Sequence, residues 1–228
     1  MSDIPQHIGI IMDGNRRWAK AHGLSAIEGH RAGYKALKAL LPAVKQAGIP
    51  YFTVYAFSSE NWSRAKDEVK GLMQLLKWVF TNELKSLIKE GIKIRIIGSL
   101  ENIPDDIVKI LRKAEKATAQ NEAGTLGICF NYGGQHEIVD ATKKIIADKL
   151  EPAKLTIEKF AKYLYEPDIP PIDLIIRTSG EQRLSNFMLW RAAYSELVFV
   201  HKHWPDFNET DLDNAIKEYS ERQRRYGT

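Results

Sequence analysis

One cysteine, Cys129, in 228 residues excludes an intramolecular disulfide and a cysteine-rich zinc site. No uncharged apolar run approaches the roughly 18 residues needed to span a bilayer. The N-terminus lacks the basic, apolar and small-residue succession of a secretory leader. The expected compartment is therefore the cytoplasm. No internal repeat, low-complexity tract or Gly/Ser linker divides the chain, so one domain over residues 1–228 is the economical reading. Charge of one sign is not in large excess either: 33 Lys and Arg against 29 Asp and Glu leave +4. That mild excess suits anionic partners, but it does not choose between nucleic acid, a phosphorylated metabolite and an acidic lipid surface. What is present is ordinary: 44% hydrophobic and 27% charged residues exclude disorder and collagen-like repeats, and the length buries a core unaided.

Six short apolar runs read as strands: His7–Met12, Tyr51–Phe57, Ile92–Ile97, Thr125–Asn131, Ile172–Ile176 and Glu196–Val200. Several lack period-two alternation, as strands buried on both faces do. Helical patterns fill the intervals at Gly29–Ala47, Asp67–Glu90, Pro104–Gln120, Gly134–Leu150, Thr156–Tyr163 and Glu209–Arg225. The alternation predicts an α/β fold with a central, mainly parallel six-stranded sheet flanked by helices. Ligands of such folds bind outside the carboxyl ends of the strands, so those ends are where chemistry is sought.

The first strand runs into Met12-Asp13-Gly14-Asn15-Arg16-Arg17-Trp18. Its turn offers backbone N–H groups to an anion, two arginines, and in Asp13 a ligand for a divalent cation bridging to a diphosphate. A plain strand-to-helix turn with Asn15 as N-cap fits the same residues. The second strand ends in Ser58-Ser59-Glu60-Asn61-Trp62-Ser63-Arg64, again a polar loop with an arginine. The densest cluster is Arg177-Thr178-Ser179-Gly180-Glu181-Gln182-Arg183-Leu184-Ser185-Asn186, where arginine forks match phosphate oxygens. One more acid, Glu196, opens the last strand. Together these predict a site for one or two diphosphates with one magnesium. Asp105 and Asp106 follow Pro104 at a helix start, where capping of the positive end of the helix dipole explains them better than metal binding.

Met12–Ala19, Gly29-His30, Tyr55–Arg64, Asn131–Gly134 and Arg177–Trp190, five co-linear motifs, resemble the cis-prenyltransferase family over about Ile4 to Gly227. The resemblance implies a magnesium-dependent condensation of isopentenyl diphosphate with an allylic diphosphate, giving a Z-polyprenyl diphosphate and pyrophosphate. It implies that Asp13 takes the magnesium and aids departure of the diphosphate. Gly14, Asn15, Arg16, Arg17 and Trp18 would surround the allylic diphosphate, with His30 a polar neighbour. Ser58, Ser59, Glu60, Asn61, Trp62 and Arg64 match the second catalytic loop, with Asn61 a candidate for assisting proton removal. Arg177, Arg183, Leu184 and Ser185 match the isopentenyl diphosphate site, and Glu196 a further magnesium-linked acid. It also implies a homodimer whose terminal Arg225-Tyr226-Gly227 reaches the partner's site, with Arg225 on a diphosphate. Membrane association would be transient and through the product, leaving the enzyme cytoplasmic or peripheral.

The stripe Val69, Leu72, Met73, Leu76, Val79, Phe80, Leu84, Leu87 and Ile88 fits both plain core and the wall of a hydrophobic product tunnel. One position departs from the family: Ala26 stands where an arginine contacting the allylic diphosphate is usual. That motivates a rival reading within the fold, a short-chain or irregular coupling enzyme. A non-catalytic partner subunit is disfavoured by the presence of Asp13, Asn61 and Arg177. A nucleic-acid binder would rest on the basic segment Arg222–Tyr226, which more simply ends a helix, so no nucleic acid is expected as partner.

Overall fold

The computed structural model describes residues 4–222. In chain order the elements are β1 (His7–Ile11), α1 (Asn15–Ala21), α2 (Ala26–Gln46), β2 (Tyr51–Ser58), α3 (Lys66–Asn82), α4 (Leu84–Lys89), β3 (Ile92–Ile97), α5 (Asp105–Thr118), β4 (Gly124–Tyr132), α6 (Gly134–Ala147), α7 (Ile157–Ala161), β5 (Leu174–Arg177), β6 (Glu196–Phe199) and α8 (Glu209–Glu221). A short 3-10 turn at Ser59–Ser63 follows β2. The sheet has the order β3-β4-β2-β1-β5-β6, and every pairing in it is parallel. The sequence suggests a mainly parallel sheet; the described one is wholly so.

All five residues of β1 and all four of β5 are buried, which is why these strands read as continuous apolar runs. One face of the sheet carries the larger core, including Ile8, Ile10, Phe52, Val54 and Ile94 of the strands with Leu40, Leu111 and Leu212 of the helices. The other face packs Ile11, Ile97, Cys129, Tyr132, Ile175, Phe187 and Met188. Local chemistry sets the helix starts. Ser25 and Glu28 form a reciprocal capping box at α2, Asn208 and Asp211 another at α8, and Asp105 and Asp106 occupy the first turn of α5, as expected.

Most boundaries shift by one to three residues, α2 begins at Ala26 rather than Gly29, and α1 is a helix that the sequence patterns do not announce. The fifth strand begins at Leu174 rather than Ile172, and the pattern over Asp67–Glu90 is two helices that break at Glu83. Leu84 and Leu87 enter the core while α3 buries only Phe80, so a single straight helix would not satisfy both.

The connection from β1 leads to β2 on one side, while β5 lies on the other. The strand order therefore reverses at β1, and the crevice between the loops leaving β1 and β5 is the place where such sheets bind ligands.

Candidate active site

That crevice holds Asp13 and Arg177. Ile11 and Arg177 are paired across β1 and β5, so the residues just beyond them share one rim. Arg177 Nη2 donates to Asp13 Oδ2 at 2.9 Å, and Arg177 Nη1 donates to Ser185 Oγ at 2.8 Å and to the Arg183 carbonyl. Gly14 N–H donates to Asp13 Oδ1 at 2.7 Å, and Arg17 Nη2 stands 3.2 Å from the same oxygen. Burial raises the pKa of Asp13, but Arg177, Arg17 and the Gly14 N–H outweigh it and hold the carboxyl below its ordinary value. Asp13 is thus an anion framed by two guanidinium groups.

The next shelf is built by α1 and α2. Gly29 lets these helices touch, because a Cβ there would stand 2.2 Å from the Asn15 carbonyl. Close approach brings Asn15 and His30 into one pocket with Asp13, Arg16, Arg17 and Arg64. Glu68 gathers the bases: Arg64 Nη1 lies 2.9 Å from Glu68 Oε1, His30 Nε2 3.6 Å from it, and Arg16 Nη1 3.7 Å from Oε2. Burial first, and Arg64 next, lower the pKa of His30, which keeps its imidazole neutral at pH 7. Three buried polar atoms here have no hydrogen-bond partner: Asn15 Oδ1, His30 Nε2 and Arg177 Nε. Buried polar atoms are seldom left so; Asn15 and His30 line the pocket that Asp13 lines, and Arg177 donates to Asp13, so the three fit a polar ligand.

The Ser58–Arg64 loop closes the other side. Ser58 N–H donates to Asn61 Oδ1 at 3.2 Å, which fixes the carboxamide. Asn186 Nδ2 donates to Glu60 Oε1 at 2.8 Å, and Asn186 Oδ1 accepts from Gln135 N–H at 2.8 Å. The second loop, the start of α6 and the Arg177–Asn186 loop are therefore tied together. Trp62 Nε1 donates to Asn131 Oδ1 at 2.8 Å, and Ser59 Oγ lies 3.3 Å from His136 Nδ1. Arg183 is exposed, with Nη1 at 2.5 Å from Glu181 Oε2, and Glu181 Oε1 also meets Arg17 at 2.9 Å. Arg183 and Arg17 thus flank one carboxylate at the crevice mouth. Leu184 packs against the apolar cluster on the second face of the sheet.

From Asn15, His30, Asn61 and Arg64 a cavity of about 200 Å³ runs inward between α2, α3, β2 and β4. Leu37, Leu41, Val54, Leu126, Ile128 and Phe130 line it, together with Leu72, Met73, Leu76, Val79, Phe80 and Leu87 of the sequence stripe. Leu84 is buried core, and Val69 and Ile88 do not line the cavity. The stripe thus supplies core at some positions and cavity wall at others.

Two expected members stand apart. Trp18 does not line the crevice; its Nε1 donates to Asp206 Oδ1 at 2.7 Å and its ring stacks on His22. Glu196 is opposite Leu174, at the amino end of β6, while Asp13 lies past the carboxyl end of β1. Within one chain these acids face opposite rims, and Glu196 pairs with Arg222 at 2.9 Å. Arg225 lies outside the described residues. Asn15 also is not the helix cap: Gly14 takes that place, with φ +100°. Sequence reasoning passed over Glu68 and Glu181. Glu68 sits in the first turn of α3, four residues after Arg64 and just outside the polar loop that follows β2. Glu181 lies inside the Arg177–Asn186 loop, whose arginines by themselves suffice for a phosphate-binding composition.

Among the described residues no three acids, histidines or cysteines gather as a ready metal cage. A single ionised carboxylate beside phosphate-binding groups is nonetheless the donor set magnesium uses, since it keeps waters and shares substrate oxygens. The residues fit that ion.

The chain is similar to known proteins over nearly its whole length. The Prenyltransf family model, for undecaprenyl diphosphate synthase, matches residues 11–227. Isoprenyl transferase 2 of Bradyrhizobium diazoefficiens is 50% identical over 230 residues, covering 99% of this chain and 91% of that protein. The solved lavandulyl diphosphate synthase of Lavandula x intermedia, in complex with dimethylallyl diphosphate, superposes with a TM-score of 0.95 at 34% identity and covers 99% of both chains. The probable undecaprenyl diphosphate synthase of Campylobacter jejuni gives 0.85 at 29% identity over the whole of both.

Proposed function

Since this chain belongs to the cis-prenyltransferase family of undecaprenyl diphosphate synthase and is a prenyl transferase, we propose that it condenses isopentenyl diphosphate with an allylic diphosphate in a magnesium-dependent reaction. The products are a Z-polyprenyl diphosphate and pyrophosphate. The observation that supports this most is the joining of two environments. A polar pocket lined by Asp13, Asn15 and His30, with Arg177 bonded to Asp13, adjoins a mostly apolar cavity that Asn15 and His30 also line. A phosphate head with a hydrocarbon tail suits both.

Asp13 holds magnesium, which when bound supplies positive charge to the leaving pyrophosphate. Arg17 and the Asn15–His30 pocket bind and orient the allylic head. Arg177, Arg183 and Ser185 bind the second diphosphate, so that its double bond faces the carbon losing pyrophosphate. Fixed cations aimed at developing negative charge are usually the largest contribution to such catalysis. The double-bond electrons form the new C–C bond, the allylic C–O bond breaks, and a proton leaves the isopentenyl unit. Asn61 is a poor base, and its Oδ1 already accepts the Ser58 N–H; it orients the site while a departing pyrophosphate oxygen takes the proton. The apolar wall excludes water from the cation-like carbon.

Incubation with magnesium, isopentenyl diphosphate and C5, C10, C15 or C20 allylic primers tests the proposal by product mass. Elongated, all-head-to-tail products are expected, and none with any primer would refute it. A second reading is irregular coupling of C5 units. Its motive is Ala26, which lines the crevice in place of a cation, together with the likeness to the lavandulyl enzyme. Branched C10 product from C5 substrates alone would favour that reading.

A further inference from the structure

Two side chains behind the Asp13 turn have no part in the chemistry above. Ser179 is buried two residues past Arg177, and His203 directly precedes Trp204; Ser179 Oγ and His203 Nδ1 lie 2.5 Å apart. Ser179 has φ +78°, a conformation that a non-glycine residue keeps only where its surroundings impose it. Here they do. Ser179 N–H donates to the Lys202 carbonyl at 2.8 Å and Gly180 N–H to the Val200 carbonyl at 2.9 Å. The loop after β5 is stitched to the segment after β6, and the hydroxyl is delivered to the imidazole.

Beneath this pair lies Gly14. A methyl group there would stand 2.5 Å from Ser179 Oγ, 2.7 Å from His203 Nδ1 and 3.1 Å from His203 Cβ. Both side chains therefore rest on the α-carbon of the residue whose N–H holds Asp13 Oδ1 at 2.7 Å. The same two segments fix the Asp13 backbone: Trp204 N–H donates to its carbonyl at 3.0 Å and Thr178 Oγ1 to the same oxygen at 2.8 Å. The Ser179 carbonyl also accepts from Arg17 Nη1 at 3.4 Å.

We propose that Ser179 and His203 are one coupled positioning unit that sets the Asp13 carboxylate for magnesium diphosphate, an inference that rests on the reading of Asp13 given above. Neither side chain meets the substrate; both act through Gly14. Loss of one leaves the other's polar atom unpaired in a buried contact, whereas loss of both leaves a plain apolar one. The effects of the two substitutions are therefore not additive.

Calorimetric titration of the full-length protein with magnesium pyrophosphate tests this, on wild type, Ser179→Ala, His203→Leu, the double variant and His203→Asn, each with its melting temperature. Each of the first two singles is expected to weaken binding by at least about fivefold, and the double variant by less than their product. His203→Asn keeps a polar atom near the Nδ1 position and should stay within about twofold of wild type. Wild-type affinity in Ser179→Ala, or losses that multiply in the double variant, would overturn the coupling. If His203→Leu does not fold, Ser179→Ala and His203→Asn decide the matter alone: equal losses in both refute it. A wild-type protein that binds no magnesium pyrophosphate would instead sink the reading of Asp13.

Discussion

At Asp13 burial and charge oppose one another, and charge wins. Asp13→Ala removes the carboxylate and leaves Arg177 without its 2.9 Å partner, so turnover should fall by about 10² or more with the fold retained. Residual activity above roughly a tenth would refute the metal role. The same pair sets a pH dependence. Because the folded pKa of Asp13 is depressed, its contribution to stability is present above the unfolded value of about 3.9 and is lost as pH falls through the folded one. The stability gap between wild type and Asp13→Asn, measured by urea unfolding at stepped pH, should narrow in that acid range and stay constant at neutral pH. Arg183 is a different case, exposed and paired only with Glu181 among the ion pairs described. Arg183→Ala should raise the KM for isopentenyl diphosphate more than that for the primer. Equal rises would mean that the two diphosphates are exchanged between the crevice's sides.

The strands make depth measurable. β4 ends at Tyr132 on the rim, and Phe130, Ile128 and Leu126 follow one another down the cavity wall. At about 3.3 Å per residue Leu126 lies roughly 20 Å below the rim, and its side chain is buried. Leu126→Ala should cost about 2–5 kcal/mol of stability and shift products to greater length by at least one C5 unit, read by mass spectrometry. An unchanged distribution at intact fold would show that this end of the cavity does not limit the chain. Strand ends such as Asp13 and Arg177 were legible because a polar cluster after an apolar run has few other meanings. The rim of Glu196 was not legible, because it adjoins a strand without ending it; Arg177 closes β5 while Glu196 opens β6, and within one chain of parallel strands those are opposite rims. The break at Glu83 had no Pro or Gly to announce it. Strand order was not legible either, since no local pattern records which runs become neighbours.

Across the whole molecule, Arg222 is the last described residue, and Glu196 and Glu218 both hold it. The sequence beyond it, with Arg225, is proposed to serve the partner of a homodimer. Removal of Arg225–Thr228 should slow catalysis at least about tenfold. Mixed with Asp13→Ala chains, the truncated protein should regain activity if the tail acts across the interface. No recovery despite subunit exchange would confine the tail to its own chain.

The wall formed by α3 has one more consequence. It buries only Phe80 over its whole length, against six buried residues in α2, and exposed ion pairs such as Lys77 with Asp106 tie it to its neighbours. Such a helix opens at little cost. Its amides should exchange with deuterated solvent well before those of α2, and a lodged polyprenyl chain should slow them. Under the proposed activity, growth of the hydrocarbon should progressively hold α3 closed over it. If the products are long, escape should then be slower than bond making, and single-turnover condensation should outpace steady-state turnover.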